Sequence, residues 1–358
     1  MFPIDRGIII VHGELADKAQ QLRYALRSAI TTNPADSLLL SGGVDSSILA
    51  AIDPKIPAIT VVLEGHGSDL RHAQQVTEYL GTPWYSVEIN QARALDDIRE
   101  VIRLTGSYDP AVKNDIPIYE GLRYSASLGH RIVRTGDAAD GLFAGYSYLH
   151  QPNLNLEQWV RDLIPNIRLS SSRIARSMGL QITYPYLYQE VLDSAQKMQR
   201  SDLIRPLELG RPGDYAQLLN PELSRLNTWG KIILRVSAYG LLPNEIVWRT
   251  KTDLEFGSGT DIMESILEES VTRQEIREMR RSGKSFWSKY HGKLYLIYKE
   301  LGLEPQPPEI GQYSCSWCGG GVLENRHHCQ TCGGYPVNQE NRFLFQKSYP
   351  ENQYRRSQ

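Results

Sequence analysis

The chain is expected to fold as an α/β protein, with a parallel sheet carrying helices on both faces, then a mainly helical part, then a small cysteine-rich module. Three observations predict this. Short apolar runs alternate with segments of helical periodicity through the first 135 residues. Two of those runs end in glycine-bearing loops, at 41–47 and 135–146. All four cysteines fall between residues 315 and 332.

In chain order, residues 7–11 read as a short strand. Leu15, Ala19, Leu22, Leu26 and Ile30 recur at helical spacing over 15–31, and Pro34 ends that helix. A buried strand at 37–40 runs directly into the loop 41–47, and a second follows at Ala58–Leu63. Asp69 opens a helix that turns Leu70, Ala73, Val76 and Leu80 inward, and Gly81 closes it. Trp84–Ile89 is the next strand. Ala94, Leu95, Ile98, Val101 and Ile102 mark a helix, and a further helix over 116–128 leads to a strand at 131–135. Beyond 155 the apolar pattern is mainly helical. The expected divisions are an α/β core at 1–154, a helical part completing it at 155–302, a linker at 303–312 with Pro305, Pro307 and Pro308, a ribbon at 313–338 and a polar tail at 339–358.

Length and composition suit one large domain with an appendage: 358 residues, 41% of them hydrophobic. With 39 basic against 41 acidic residues the net charge is −2, which argues against a chain built around nucleic acid or an anionic membrane. Small anionic ligands remain open, since backbone amides and a few placed cations hold them. The apolar patch at 8–11 is too short for a signal-peptide core and no run approaches a membrane span, so a cytoplasmic protein is expected.

The loop Ser41-Gly42-Gly43-Val44-Asp45-Ser46-Ser47 lies between a buried strand and a helix start. Its glycines let backbone approach phosphate oxygens, and the helix start presents free N–H groups to an anion. Ser41, Ser46 and Ser47 add hydroxyls. Asp45 would repel bare phosphate, so its natural task is to hold Mg²⁺ against it. The lysine that ends a Walker A loop is missing, so this is a different phosphate loop. In the cysteine module, Cys315-x-x-Cys318 and Cys329-x-x-Cys332 are ten residues apart, each pair followed by glycines. Such paired knuckles close a tetrahedral Zn²⁺ site of structural type, similar to a zinc ribbon, and a module this short needs its metal to fold. His327 and His328 read as solvated neighbours of that site. Trp317, with Arg326, offers a stacking face for docking on a macromolecule.

The loop 41–47 resembles the pyrophosphate loop of N-type ATP pyrophosphatases, which cleave ATP to AMP and pyrophosphate while adenylating a substrate. Thr135-Gly136-Asp137-Ala138-Ala139-Asp140-Gly141-Leu142-Phe143-Ala144-Gly145-Tyr146 resembles a block of the asparagine synthetase synthetase domain, and so does Lys231-Ile232-Ile233-Leu234-Arg235 followed by Leu242-Pro243 and Trp248-Arg249-Thr250-Lys251. The likeness covers about 15–260. It implies an adenine nucleotide alpha hydrolase-like fold and a ligase that forms an amide (C–N) bond through an adenylated carboxylate. It also implies site residues. Asp45 and Asp140 would hold Mg²⁺, and Ser41, Gly42, Gly43, Ser46 and Ser47 the pyrophosphate. Leu40, Val62, Thr135 and Gly136 would lie against the nucleotide. Lys251 would stabilise developing charge, Lys231 is a further catalytic candidate from the same run, and Asp137 would orient or deprotonate the amine. Read singly, Lys231, Arg235 and Arg249 are ordinary solvated helix charges.

Departures from the family fall on the acceptor side. Asp137 stands where asparagine synthetases carry Glu, Gly141 replaces a second Glu, and Thr183 and Tyr188 stand in place of Arg and Asp. Segment 110–118, where the family seats its amino acid, is one residue shorter and carries Lys113 and Asp115. Aspartate is therefore in doubt as the carboxylate. Phe2 follows Met1 where glutamine-hydrolysing members begin on cysteine, so no glutaminase half is expected. The nitrogen would come from free ammonia, a separate glutaminase subunit or an amine within the substrate. The alternative reading is a tRNA-modifying ATP pyrophosphatase whose ribbon docks RNA. Thiolation, however, needs sulfur-carrying cysteines or a cluster, and the ribbon already uses all four.

Overall fold

In a computed structural model of the chain, the described residues are 13–206, 228–249, 251–324, 326 and 328–337. The strand expected at 7–11, the polar tail, Thr250 and His327 lie outside them. Among the described residues no helix is long and apolar enough to cross a membrane. The chain forms two compact units, one from residues 1–89 and 120–259 and the other from 90–119 and 260–358.

The first unit holds five parallel strands: β1 (Ser37–Leu39), β2 (Ala58–Leu63), β3 (Trp84–Ile89), β4 (Ile132–Arg134) and β5 (Gln181–Thr183), in the order β3-β2-β1-β4-β5. Four parallel pairings join them. The chain therefore builds outward from β1 in one direction and then returns to its other side at β4. The crevice at the carboxyl ends of β1 and β4 is the reversal point where open α/β sheets bind ligands. β2 is buried along its whole length, as its unbroken apolar run predicts. Leu40 lies just past β1, yet its N–H still donates to the Ile59 carbonyl at 2.9 Å.

Helix α1 (Glu14–Thr32) buries Leu15, Ala19, Leu22, Leu26 and Ile30, the face its spacing predicts. Leu22 and Leu26 are fully buried, each contributing roughly 1.5–3 kcal/mol by the usual apolar-area estimate. Arg23 on the same helix donates to the carbonyls of Ser237 and Tyr239 at 2.8 and 2.7 Å. Helices α2 (Val44–Ile52) and α3 (Asp69–Leu80) follow β1 and β2, and α3 ends on Gly81 at φ 68°. One continuous apolar core runs from Leu15 through Ile48, Phe143, Val160, Val191 and Ile233 to Trp248. The division expected at 154/155 thus falls inside one packed unit, with Leu156 to Ile204 and Trp229 to Trp248 contributing to the core of the sheet.

The second unit contains α4 (Gln91–Thr105), the helices Ile262–Glu269, Arg273–Arg281 and Lys289–Glu300, and the cysteine module with its hairpin of Gln312–Ser314 and Gly321–Leu323. The next helix, α5 (Val112–Ser127), starts in this unit and ends in the first. It begins four residues before the expected 116, behind a turn in which Asp109 Oδ1 accepts from Ala111 N at 2.9 Å and the Asp109 carbonyl accepts from Val112 N at 2.9 Å. The short helix α6 (Ala139–Leu142) follows β4. The segment expected as a linker packs on the module, Gly321 N donating to Gln306 O at 2.8 Å.

Candidate active site

The loop after β1 is shaped by contacts that leave no room for side chains. Gly42 has φ 71°, and a Cβ there would lie 2.6 Å from backbone atoms of His72 and Ala73 in α3. Gly43 is extended and caps α2, whose first turn carries Asp45. Ser46 Oγ accepts from Ser41 N and meets Ser41 Oγ, both at 3.2 Å, while Ser47 Oγ is buried without a hydrogen-bond partner. Gly136 crosses the start of α2 so closely that a Cβ would sit 3.3 Å from Ser46 N. Leu40, Val62 and Thr135 are buried at the strand ends beside this loop.

Asp45 and Asp140 come from the first turns of α2 and α6, the helices after the adjacent strands β1 and β4, and Lys231 joins them. Its ammonium ion-pairs with Asp45 Oδ2 and lies 2.6 Å from Asp140 Oδ1. Lys231 is 4% exposed, whereas the Asp45 and Asp140 side chains keep 18% and 28%, so both acids remain reachable from solvent. Lys251 lies 3.9 Å from Asp140, ion-pairs with Asp253 and sits 5.2 Å over the Tyr146 ring. The backbone around this group is strained. Among the described residues, the non-glycine positions with positive φ are Ala138 (76°), Ala144 (55°) and Lys231 (57°), and all flank Asp140 and Lys231. Such positions cost on the order of 1–3 kcal/mol each and gather where a site needs them. Gly145 completes the arrangement, since a Cβ there would fall 1.8 Å from Asp140 Oδ1 and 2.2 Å from Lys231 Cε.

The charges set one another. Burial pushes the Asp45 carboxyl up, against the pull of Lys231. Burial also acts to raise Asp140, but Lys231 and Lys251 outweigh it and hold Asp140 below the usual range. Burial would lower Lys251, yet Asp140 and Asp253 raise it. Asp45 Oδ1 is buried without a hydrogen-bond partner. Hard oxygen donors on the first turns of two helices that follow neighbouring strands, one of them unpaired, suit a hard divalent cation.

Asp137 lies beyond this pair. Its Oδ2 accepts from Ser171 Oγ at 2.8 Å, and Tyr184 Oη meets Ser171 at 3.0 Å and Ser172 at 2.8 Å. Burial raises the Asp137 carboxyl against the hydrogen bonds from Ser171 and Thr135. Ser171 and Tyr184 were not anticipated. Nor was Tyr186, whose hydroxyl donates to Asp45 O at 2.8 Å.

Reading Lys231, Arg235 and Arg249 as solvated charges is corrected, because all three are buried. Arg249 donates to Ser41 O at 3.0 Å and to Asp69 Oδ1 at 2.8 Å. Arg235 lies over the rings of Trp229 and Trp248, at 5.0 and 5.6 Å, and donates to Gly230 O at 3.1 Å and Arg249 O at 3.0 Å. It thereby ties together the two stretches that carry Lys231 and Lys251. Burial lowers its guanidinium to about 10. The spacing Lys231-x-x-x-Arg235 beside two tryptophans was the available signal.

In the second unit, the sulfurs of Cys315, Cys318, Cys329 and Cys332 lie within 4.8 Å of one another. The two knuckles repeat one geometry. Gly319 N donates to Cys315 O and Gly333 N to Cys329 O, both at 2.8 Å. Gly320 N points at Cys318 Sγ and Gly334 N at Cys332 Sγ, both at 3.3 Å. Four buried thiols with N–H groups turned toward sulfur suit a closed zinc site. Trp317 is not a free stacking face: it stacks on Trp287 at 5.1 Å and its indole N–H donates to Pro336 O at 3.3 Å. His328 is likewise engaged, 3.3 Å from Asp109.

The family model for asparagine synthase matches residues 18–209 and 159–291. Asparagine synthetase B [glutamine-hydrolyzing] of Escherichia coli (strain K12) is 26% identical over 310 residues, covering 79% of this chain and 52% of that protein. Asparagine synthetase [glutamine-hydrolyzing] 1 of Arabidopsis thaliana is 24% identical over 295 residues, covering 74% and 47%. The chain spans about half the length of these curated relatives. Among solved structures, NMN synthetase from Francisella tularensis aligns over 81% of this chain and 94% of its own at 15% identity with a TM-score of 0.28, too low to carry an argument. The two family matches overlap and together take in both acid loops and both lysines, and on that match the chain belongs to the asparagine synthase family.

Proposed function

We propose that this chain is an ATP-dependent, AMP- and pyrophosphate-forming ligase that adenylates a carboxylate for attack by ammonia or an amine. The observation that carries the reading is the convergence of Asp45 and Asp140 on Lys231 beside a glycine-lined loop at the sheet's reversal point.

In this reading the α2 N-terminus, Gly42, Gly43 and the hydroxyls of Ser41, Ser46 and Ser47 bind the leaving pyrophosphate. Leu40, Val62, Thr135 and Gly136 seat the nucleotide. Asp45 and Asp140 hold Mg²⁺, which when bound neutralises phosphate charge. Lys231 and Lys251 stabilise the negative charge that grows as the carboxylate oxygen attacks the α-phosphorus and pyrophosphate departs. Asp137 then orients the amine and accepts its proton as the nitrogen attacks the acyl carbon and the acyl–oxygen bond to AMP breaks, releasing AMP. A carboxyl raised by burial is the stronger base for that step. The four cysteines hold structural Zn²⁺. Nitrogen arrives as free ammonia, from a separate glutaminase subunit, or as an amine of the substrate.

The test is pyrophosphate release from MgATP, screened over aspartate, other carboxylates and tRNA, with and without ammonia. Stimulation by a carboxylate, with AMP formed in equal amount, supports the ligase. Stimulation by tRNA alone overturns it in favour of an RNA-modifying enzyme.

A further inference from the structure

The cysteine module makes close, specific contacts with the rest of its own unit. The second knuckle grips the turn between α4 and α5. Tyr108 N donates to Thr331 O at 2.8 Å and Ser107 Oγ to Gln330 O at 2.7 Å. Gly333, at φ 71°, approaches the Asp109 carboxylate so closely that a Cβ would lie 2.7 Å from Cγ and force one of the two to move. His328 pairs with the same carboxylate at 3.3 Å. The first knuckle is held in a similar way. Ser285 N donates to Trp317 O at 3.1 Å, the Lys284 ammonium to Cys318 O, and Trp317 stacks on Trp287. Between the two, Tyr108 is fully buried, with its ring 5.1–5.5 Å from those of His291, Tyr295 and Tyr298 on the helix Lys289–Glu300.

We propose that the metal-loaded ribbon is a clamp on its own chain: it fixes the turn 107–109 and the start of α5, so that zinc binding and the ordering of that turn are one coupled event. The reason is geometric. The carbonyls that accept from Ser107 and Tyr108 belong to Gln330 and Thr331, the two residues between Cys329 and Cys332. Their direction is set only when both of those thiolates are held. Asp109, which packs against Gly333, also holds the turn that leads into α5, its Oδ1 accepting from Ala111 N at 2.9 Å. Loss of the metal therefore releases the acceptors of the turn and loosens the entry to α5 together. Coupling of this kind is reciprocal, so weakening the turn must weaken the hold on zinc. The inference goes beyond the ligase reading and does not depend on it.

The experiment uses the full-length zinc-loaded protein. Hydrogen exchange is measured before and after zinc is stripped with a chelator. The expected result is loss of protection at the Tyr108 amide, with amides of β2 in the first unit still protected. In parallel, the double variant Ser107→Ala/Asp109→Ala, which leaves all four cysteines in place, is expected to release zinc to a chromogenic chelator about tenfold or more faster. A Tyr108 amide that stays protected in stripped, folded protein overturns the clamp. If stripping unfolds the whole chain, the release rate decides, and equal rates for the double variant and its parent overturn it.

Discussion

The Arg249 guanidinium holds the carbonyl of Ser41 at 3.0 Å, fixing the entrance of the loop 41–47 from a segment more than two hundred residues away. Its other nitrogen is bound to buried Asp69, so the loop is braced against α3 through one ion pair. Arg249→Ala leaves Asp69 as a lone buried acid, and a loss of about 3–5 kcal/mol in stability is expected by urea titration. Arg249→Met combined with Asp69→Leu is expected to recover most of that stability while ATP binding stays impaired. Recovery of nucleotide affinity in the double variant would show that the pair serves folding alone.

Gly145 offers a more local test. A methyl group there would collide with both Asp140 Oδ1 and Lys231 Cε. Gly145→Ala is expected to move the acid–lysine pair by about an ångström and to lower pyrophosphate release on the order of a hundredfold. The melting temperature should change far less than for a core truncation. Release within a factor of about two of the parent would mean that the Lys231–Asp140 contact has no part in the chemistry.

What could be read from the sequence is what lies contiguous in it. β2 was visible because a buried parallel strand is an unbroken apolar run, and the loop 41–47, the block 135–146 and the four cysteines each bring their chemistry within a few residues. β5 was missed because Gln181-Ile182-Thr183 is a polar, partly exposed edge with no such run. Residues that act from far along the chain were also missed. Tyr186 reaches Asp45 across 141 positions, and the ribbon reaches Ser107 across 223. No local periodicity records such pairings, and buried arginines look like solvated ones until their stacking partners are known.

Tyr146 provides the surface on which Lys251 rests, with the ammonium 5.2 Å from the ring centre. Tyr146 itself stacks on Tyr148 at 5.3 Å, which holds the ring in place. A cation over an aromatic face contributes about 0.5–2 kcal/mol. Tyr146→Leu is therefore expected to reduce turnover by a few-fold to about thirtyfold, and Tyr146→Phe, which keeps the ring, should retain most of it. Steady-state pyrophosphate release on the two variants checks this. Equal losses in both would assign the effect to the hydroxyl instead of the ring.

Asp137 ties stability to pH in a direction opposite to that of a paired carboxylate. Burial raises its folded pKa above the unfolded value, so the folded state binds the proton more tightly. Its effect on stability is thus neutral below the ordinary carboxylate range, and becomes a growing penalty as pH rises through the unfolded pKa, complete once the folded pKa is passed. Asp137→Asn removes the ionisable group and should make the protein more stable than its parent at neutral pH, with the difference vanishing in acid. The same variant should lose amide formation while keeping ATP binding, because the amine then has no proton acceptor. Ser171→Ala deletes a hydrogen bond that favours the carboxylate, so it should move the acid limb of the pH–rate profile upward. Urea midpoints across pH for Asp137→Asn, with rate profiles for Ser171→Ala, test both signs. A stability gap that widens toward acid would show that the folded state lowers the Asp137 pKa instead of raising it.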